Sequence, residues 1–335
     1  MRRATAVALP FLLAACSRNP SVLLDSAGPH AAATGQLFWI FLYVCAAVWA
    51  LVLLLLGFAM TRRAAVIDAV TPPSDTERRL TRWVACGAGA TVLVLTGFVA
   101  ASYATDRHLI GIESGRHLEI EVTGRQWWWE LRYRDATPSN WFVTANELHL
   151  PVGRPVRLVM RSGDVIHSVW IPNLAGKRDI IPGRANEMVI QADEAGTWHG
   201  RCAEFCGLQH AFMQLTVVAQ PEAEFAQWLE AQRRPGAEPA TDEQRHGQQV
   251  FQQGPCAICH TIRGPDAGSR SPTAPDLTHL ASRASIGAGA APNVRGYLGG
   301  WILDPHGIKP GVLMPRIQLP ADDFQALLAY LESLR

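Results

Sequence analysis

The stretch Gly200-Arg-Cys-Ala-Glu-Phe-Cys-Gly-Leu-Gln-His-Ala-Phe-Met213, here called the ligand loop, contains Cys202, Cys206, His210 and Met213. Two thiolates, an imidazole and a thioether are soft ligands, and they favour copper over calcium or magnesium. A mononuclear blue-copper site uses one thiolate, two imidazoles and a weak thioether, so the ligand loop has one cysteine too many. A second thiolate within reach of the first indicates two metal ions bridged by both sulfurs. The alternative is a zinc site or a buried pair of inert thiols, because C-x3-C lies in the zinc range although zinc rarely binds methionine.

The ligand loop lacks a second imidazole, which must come from elsewhere in the chain. His167 lies in Asp164-Val-Ile-His-Ser-Val-Trp-Ile-Pro172, at the end of a strand-like apolar segment upstream of the loop. A lone histidine is usually structural, but this one precedes a loop that needs one more ligand. His149 and His199 are the rival candidates, and we interpret both as structural or surface residues.

A second site is indicated by Cys256-Ala-Ile-Cys-His260, the C-x-x-C-H attachment signal of a c-type haem. Cys256 and Cys259 lie three residues apart at the start of a helix, so each is placed to add to one vinyl group. His260 is then placed to bind the iron. A zinc knuckle or a disulfide is the alternative use of the two cysteines.

The sixth haem ligand is predicted to be Met314, in Lys309-Pro-Gly-Val-Leu-Met-Pro315, because no other methionine follows Met213. A methionine–histidine pair raises the reduction potential of a haem and suits electron transfer. The alternatives are a bis-histidine haem that uses His279 or His306, and an open site.

Composition sets the limits on these assignments. The chain has 335 residues, enough for two or three domains, and a formal net charge of +1, which makes no strong case for a nucleic-acid partner. Seven cysteines are an odd number, so a pure disulfide framework is disfavoured. Hydrophobic residues make up 48% of the chain and are concentrated near the N-terminus, which indicates a membrane.

Residues 1–16 have the pattern of a signal peptide. Arg2 and Arg3 precede an apolar run, Ala4 to Ala15, that is too short to span a bilayer. The run ends in Leu-Ala-Ala-Cys16, which is similar to a bacterial lipobox and predicts thioether lipidation of Cys16. An ordinary signal peptide cleaved nearby, or no cleavage, is the alternative. We interpret residues 17–35, rich in proline, glycine and alanine, as an irregular linker.

Two uncharged apolar runs, 36–60 and 83–104, predict a two-helix transmembrane hairpin over residues 36–104. The connection between them carries five arginines, and the positive-inside rule places it in the cytoplasm. Both ends of the hairpin then lie outside, and everything from about residue 105 onward is predicted to be extracytoplasmic.

Residues 105–232 are predicted to form a small all-β sandwich or Greek-key barrel, because short apolar segments alternate with glycine, proline and asparagine turns. A short helix over 221–232 would close this domain. The stretch 233–240 is a proline-rich linker, and residues 241–335 are predicted to be a small all-α domain. The clearest strand segments are 117–122, 155–160, 187–191 and 213–218, and the clearest helices of the last domain are 241–252 and 321–334.

The motifs described above resemble those of a known family. Residues 36–220 are similar to cytochrome c oxidase subunit II, with two membrane spans followed by a cupredoxin domain. The motifs that carry the resemblance are Gln126-Trp-Trp-Trp129, Asp164-Val-Ile-His-Ser-Val-Trp170 and the cysteine-rich part of the ligand loop, 202–213. With residues 241–335 as a fused class I cytochrome c domain, the chain resembles the subunit II variant of bacterial oxidases that carries an extra haem c.

The resemblance implies a binuclear copper A centre. Cys202 and Cys206 would bridge the two coppers, and His167 and His210 would each bind one copper. Two coppers that share two thiolates spread the charge of one electron, so the geometry changes little on reduction.

The resemblance also implies weaker ligands and a point where electrons enter. Met213 would be a weak ligand to one copper and the Glu204 carbonyl to the other, while the Glu204 carboxylate would reach a magnesium ion at the interface with subunit I. Trp127 would receive electrons from cytochrome c. If the three tryptophans alternate along one strand, Trp127 and Trp129 share a face and Trp128 lies on the other.

The function implied is that of the subunit where electrons enter a terminal oxidase. Electrons would pass from a cytochrome c or another donor through haem c and copper A to subunit I, which reduces oxygen and translocates protons. Subunit I, further oxidase subunits and the bilayer of a bacterial inner membrane would be the partners, with the copper and haem domains on the periplasmic side. The alternatives are the copper A subunit of a nitric oxide reductase-type complex and a non-enzymatic copper and haem carrier. Nitrous oxide reductase would need a large propeller domain, for which the chain has no room.

Overall fold

The computed structural model describes residues 24–61, 74–113, 117–264 and 273–335. The predicted signal peptide with Cys16, and residues 62–73 of the predicted cytoplasmic loop, lie outside the described residues.

Two long helices, α1 (Pro29–Thr61) and α2 (Ser74–Glu113), contain the two predicted spans. Both are long and apolar enough to cross a membrane, and their most apolar windows are entirely unburied by the rest of the chain. The helices extend past the predicted hairpin at both ends. Proline is tolerated in the first helical turn and alanine is the strongest helix former, so α1 begins at Pro29 and runs through Ala-Ala-Ala, where we had predicted an irregular linker.

The start of α2 also differs from the prediction. Arg78, Arg79 and Arg82 lie in the first turns of α2 and not in a loop. The helix continues past its apolar part to Glu113, so the next domain begins later than residue 105.

The segment before α1 is bound to the β domain. The Ala27 amide donates to the Asn173 carbonyl (2.7 Å), and the Ala27 carbonyl accepts from the Asp193 amide (2.8 Å). The Ala31 amide donates to the Leu174 carbonyl (3.2 Å). The start of α1 therefore lies against the same domain that follows the end of α2, as the predicted hairpin requires.

The β domain is a sandwich of two five-stranded sheets. One sheet has the strand order β3-β2-β1-β5-β8 and the other has the order β4-β10-β9-β6-β7. The pairs β1/β5 and β4/β10 are parallel, and the remaining pairs are antiparallel. The strands are β1 (Leu118–Arg125), β2 (Trp128–Tyr133), β3 (Phe142–Ala145), β4 (Glu147–Pro151), β5 (Val156–Ser162), β6 (His167–Trp170), β7 (Lys177–Ile180), β8 (Asn186–Ile190), β9 (Gly196–Cys202) and β10 (Gln214–Gln220).

The apolar core lies between the two sheets because alternate side chains of each strand point inward. The four predicted segments coincide with β1, β5, β8 and β10. Helix α3 (Glu222–Arg233) closes the domain as predicted, with Phe225 buried and the Trp228 ring stacked on His149 at 4.0 Å.

In the described part of the C-terminal domain, residues 241–264 and 273–335, the regular structure is helical apart from a two-stranded ribbon of β11 (Ser285–Ile286) and β12 (Ala291–Pro292). Its first and last helices cross closely: a Cβ on Gly247 would lie 1.9 Å from the Ala326 carbonyl oxygen, so only glycine fits there. A capping box between Thr241 and Gln244 starts the first helix. The helices are α4 (Asp242–Gln253), α5 (Cys256–Cys259), α6 (Arg295–Leu303), α7 (Pro305–Ile308) and α8 (Ala321–Ser333).

Candidate metal centres

The ligand loop and β6 bring four potential ligand side chains together in two pairs. The Sγ atoms of Cys202 and Cys206 lie 3.7 Å apart. The Nδ1 atom of His167 lies 3.9 Å from the Cys202 sulfur, and the Nδ1 atom of His210 lies 3.8 Å from the Cys206 sulfur. Each thiolate thus has its own imidazole, an arrangement suited to two metal ions that share two sulfurs.

Two weaker donors lie at opposite sides of the sulfur pair. The Met213 Sδ atom lies 3.9 Å from the Cys206 sulfur, and the Glu204 carbonyl oxygen lies 3.2 Å from the Cys202 sulfur. Met213 is buried, and it directly precedes β10. Of the residues brought together, Cys202, Cys206 and His167 are also buried, as metal ligands of a closed site usually are.

Strand pairing explains how residues distant in sequence meet. Strand β6 pairs antiparallel with β9, with Val169 opposite Cys202. The Ala203 amide donates to the Ser168 carbonyl (3.0 Å), which extends the pairing past the end of β9. His167, the first residue of β6, is therefore held next to the start of the ligand loop.

Asp164 determines which nitrogen of His167 faces the sulfurs. Its carboxylate lies 2.7 Å from Nε2 of His167 and also accepts from the Gln126 amide (2.7 Å). Burial acts to raise the pKa of Asp164, but the hydrogen bonds from His167 and Gln126 outweigh it and leave that pKa below its ordinary value. Burial acts to lower the pKa of His167, but the hydrogen bonds with Asp164 and Cys202 outweigh it and raise that pKa. A carboxylate behind an imidazole orients the ring and increases its basicity toward a metal ion.

The Cys202 thiol is hydrogen-bonded to the Cys206 sulfur, with the two sulfurs 3.7 Å apart. Their mutual hydrogen bond lowers the pKa of Cys202 and raises the pKa of Cys206, because a second thiolate so close to the first is disfavoured by charge repulsion. A metal cation in place of that proton would stabilise both thiolates. The donor set, two sulfurs with one imidazole each and a thioether, is chemically soft and fits copper.

The haem attachment motif lies on the short helix α5, with His260 directly after it. The Nδ1 atom of His260 lies 2.8 Å from the Pro275 carbonyl oxygen, so Nδ1 carries the proton and Nε2 keeps its lone pair. Burial lowers the pKa of His260, which favours the neutral ring that a metal ligand requires. Cys256 is half-buried and Cys259 is exposed. These residues fit a covalently attached haem with His260 as an axial ligand.

Two of the rival histidines, His279 and His149, make contacts that fit structural roles. Both ring nitrogens of His279 contact backbone carbonyls, those of Arg335 (2.9 Å) and Arg234 (3.2 Å), which disfavours it as a haem ligand. The Nδ1 atom of His149 lies 2.9 Å from Gln220 Oε1, which supports the structural role we predicted for His149. Met314 is half-buried in the segment between α7 and α8.

Two separate parts of the chain match known protein families. Residues 118–220 match the family model described as cytochrome c oxidase subunit II, periplasmic domain, and residues 244–335 match the cytochrome c model. The chain carries a cytochrome c oxidase subunit II periplasmic domain followed by a cytochrome c domain. We call these the subunit II domain (118–220) and the cytochrome domain (244–335).

Relatives include the cytochrome c oxidase subunit 2 proteins of Alkalihalophilus pseudofirmus, 36% identical over 64% of this chain, and of Bacillus subtilis, 30% identical over 65% of it. The chain spans 61% and 62% of the length of these relatives. Among solved structures, the periplasmic domain of subunit II of cytochrome oxidase of Bradyrhizobium japonicum is 32% identical, with 36% of this chain and 96% of that chain covered and a TM-score of 0.34.

Trp127 is not placed as the alternation argument predicted. Strand β2 of the subunit II domain begins at Trp128, and Trp127 lies in the turn between β1 and β2. The period of two therefore does not extend to Trp127, whereas Trp129 is fully buried in the core. In that turn the Trp127 indole donates to the Cys206 carbonyl (3.0 Å), so its ring contacts the ligand loop directly.

Glu204 contributes to the subunit II domain in two ways. Its carbonyl oxygen lies beside the Cys202 sulfur. Its carboxylate is exposed, with one oxygen 3.9 Å from the Lys177 ammonium. Asp164 was not among the predicted site residues, although a carboxylate three residues before a predicted ligand is a recognisable signal.

Proposed function

We propose that this chain is the subunit through which electrons enter a bacterial terminal oxidase, passing from haem c to copper A and on to subunit I. The observation that carries the proposal is the pairing of Cys202 with His167 and of Cys206 with His210 around a 3.7 Å sulfur–sulfur contact. When bound, copper A and haem c would each supply reversible one-electron chemistry. Reduction of oxygen to water and proton translocation would take place on the partner subunit.

The residues of this chain would prepare the sites for that chemistry. Cys202, Cys206, His167 and His210 would hold the two coppers, and Met213 would be a weaker ligand. Asp164 holds the His167 ring, and the buried cluster excludes water. A rigid, dry ligand set changes little when its charge changes, and such a set favours fast electron transfer.

The haem would be attached through Cys256 and Cys259, and His260 and Met314 would be its iron ligands. The hydrogen bond from His260 to the Pro275 carbonyl orients the ring in the same way that Asp164 orients His167. A methionine ligand together with a histidine ligand would raise the haem potential and make the haem a suitable relay.

Subunit I is the partner proposed for the exposed face of the ligand loop. Phe205, Leu208 and Phe212 are 75%, 70% and 63% exposed, which is unusual for large apolar side chains beside a buried metal cluster. We place the magnesium ion, held by the Glu204 carboxylate, at this same interface. Other oxidase subunits and the lipid bilayer would cover α1 and α2.

The proposed location is the bacterial inner membrane, with the copper and haem domains on the periplasmic side. The contacts of Ala27 and Ala31 with the β domain keep both outer ends of the helix pair on one side, and the arginines between the two apolar runs favour the cytoplasm for the opposite side. A signal peptide over 1–16 and lipidation at Cys16 would add a second membrane anchor, and mass spectrometry of the mature N-terminus tests this point.

Metal analysis of the purified chain tests the proposal. We expect two coppers and one haem iron for each chain, and loss of copper with retention of haem in Cys206→Ser. A single copper, or zinc, would overturn the binuclear assignment. Purification of the membrane complex would then show whether the partner reduces oxygen, as we propose, or nitric oxide.

A further inference from the structure

The cytochrome domain lies against the subunit II domain through two segments, residues 284–289 and 309–311. The Ala284 amide donates to the Glu147 carboxylate (2.7 Å), and the Gln214 amide donates to the Ala288 carbonyl (3.1 Å). The Gln209 side-chain amide donates to the Pro310 carbonyl. The contacts reach the ligand loop itself, since Gln209 is the neighbour of His210.

Lys309 is the most buried charged side chain of this interface, with 2% of its surface exposed. Its ammonium donates to the Trp127 carbonyl (2.9 Å) and to the Gly287 carbonyl (2.7 Å). One cation therefore connects three segments: the β1–β2 turn of the subunit II domain, the 284–289 segment, and the segment that continues to Met314. The chain has only two lysines, and the other, Lys177, is exposed.

Lys309 is better suited to fixing how the two domains are arranged than to stabilising the fold. Burial lowers the pKa of Lys309 to about 8, so the ammonium is charged at neutral pH although the site disfavours its charge. Among the described residues no carboxylate is hydrogen-bonded to this ammonium, and its two acceptors are backbone carbonyls. A buried charge held in this way is costly, and the best-attested use of such groups is to specify one arrangement over others.

We propose that Lys309 is a positioning residue for electron transfer: it holds the segment that leads to Met314 against the Trp127 carbonyl, and so fixes the cytochrome domain on the ligand loop. The inference rests on the proposed function, because it assumes transfer from haem c to copper A. Trp127 connects Lys309 to the ligand loop, because its carbonyl accepts from the Lys309 ammonium and its indole donates to the Cys206 carbonyl. A shift of this segment would change the distance between the two centres.

Lys309→Met tests the inference in the full chain, with copper and haem bound. Methionine has a similar length but cannot donate to the two carbonyls. The matched control is Arg245→Met, which removes an exposed cation of the same domain whose ion pair is with Asp242 in its own helix. The readouts are the rate of copper reduction after photoreduction of the haem, the optical spectra of both centres, and amide hydrogen exchange over 206–211 and 284–289.

We expect Lys309→Met to keep the optical spectra of both centres. Its amide hydrogens over 206–211 and 284–289 should exchange faster, because two buried carbonyls lose their donor. Electron transfer from haem to copper should be about tenfold slower. The amide hydrogen exchange measurement is repeated on both proteins without copper or haem, and the same difference between Lys309→Met and the wild type is expected. Arg245→Met should match the wild type in all readouts. Transfer at the wild-type rate in Lys309→Met would overturn the inference.

A second variant tests the inference independently in case Lys309→Met does not fold. Glu147→Leu removes the acceptor of the Ala284 amide at a point of the interface on β4, outside the ligand loop. It should also speed exchange over 284–289 and slow electron transfer; unchanged transfer despite faster exchange would overturn the inference. If the wild-type chain itself shows no transfer from haem to copper, the proposed function fails, and the exchange data alone show whether Lys309 holds the domains together.

Discussion

The carboxylate of Asp164 lies 2.7 Å from Nε2 of His167, and this contact leaves Nδ1 as the nitrogen that faces the Cys202 sulfur. The ring therefore cannot rotate without breaking a charge-assisted hydrogen bond. The same carboxylate accepts from the Gln126 amide, so the position of the ligand is coupled to the turn that carries Trp127.

Asp164→Ala should weaken copper binding roughly 10- to 100-fold while the sandwich stays folded, because the ring loses the partner that orients it. The measurement is retention of copper against a competing chelator. Glu187→Ala is the control, since Glu187 is an exposed acid on β8 whose ion pair is with Arg157. Equal copper retention in Asp164→Ala and the wild type would contradict this role.

Met213→Leu should keep both coppers but shift their reduction potential and slow electron transfer. Leucine has a similar volume, so the buried site stays filled while the thioether 3.9 Å from the Cys206 sulfur is lost. Redox titration of the copper absorption measures the shift. Met160→Leu makes the same change in the apolar core, where Met160 is fully buried, and it should leave the potential as it is. Identical potentials in Met213→Leu and the wild type would exclude Met213 as a ligand.

Gly28→Ala should detach the segment before α1 from the sandwich. A Cβ at this position would lie 2.1 Å from the Gln191 carbonyl oxygen, so the backbone must shift. We expect the sandwich to lose about 1–3 kcal/mol of unfolding free energy in the detergent-solubilised chain, measured by urea denaturation.

Gly35→Ala is the matched control for Gly28→Ala. It lies in α1 with nothing within 4 Å of its added Cβ, and alanine favours helix. It should therefore leave the sandwich unchanged. A Gly28→Ala chain as stable as this control would show that the segment is not fixed at this point.

Tyr133→Phe should destabilise the subunit II domain by about 1–3 kcal/mol at neutral pH. The buried hydroxyl donates to the His149 carbonyl (3.0 Å) and accepts from the His149 amide (2.7 Å), and phenylalanine does neither. Urea denaturation followed by tryptophan fluorescence measures the change. Tyr297→Phe is the control, because Tyr297 is half-exposed on α6.

The pH dependence of Tyr133 gives a second readout of the same variant. Burial raises the pKa of Tyr133 far above its ordinary value of 10.0. The unfolded chain releases this proton as the pH rises past 10.0 while the folded chain keeps it, so the stabilisation is complete below that pH and is lost above it. Wild-type stability should thus fall more steeply than that of Tyr133→Phe in this range, and parallel curves would contradict it.

Most of the proposed copper and haem ligands could be proposed from the sequence because their spacing is local, whereas His167 and Met314 lie far from the two motifs. Cys202, Cys206, His210 and Met213 share one loop, and the cysteines of the haem motif share one helical turn. The apolar spans were also predictable, but their ends were not, since Pro29 and the alanines after it extend α1 beyond the purely apolar run.

The sequence by itself determined which side chains were available to bind copper and haem, and which segments were apolar enough for a membrane. Only the tertiary structure decided that β6 pairs with β9 and brings His167 to Cys202, that Trp127 lies in a turn against the ligand loop, and that Lys309 joins the two domains. The reason is physical: ligand chemistry and hydrophobicity belong to single residues and their near neighbours, whereas these contacts depend on strand register and domain packing between residues far apart in the chain.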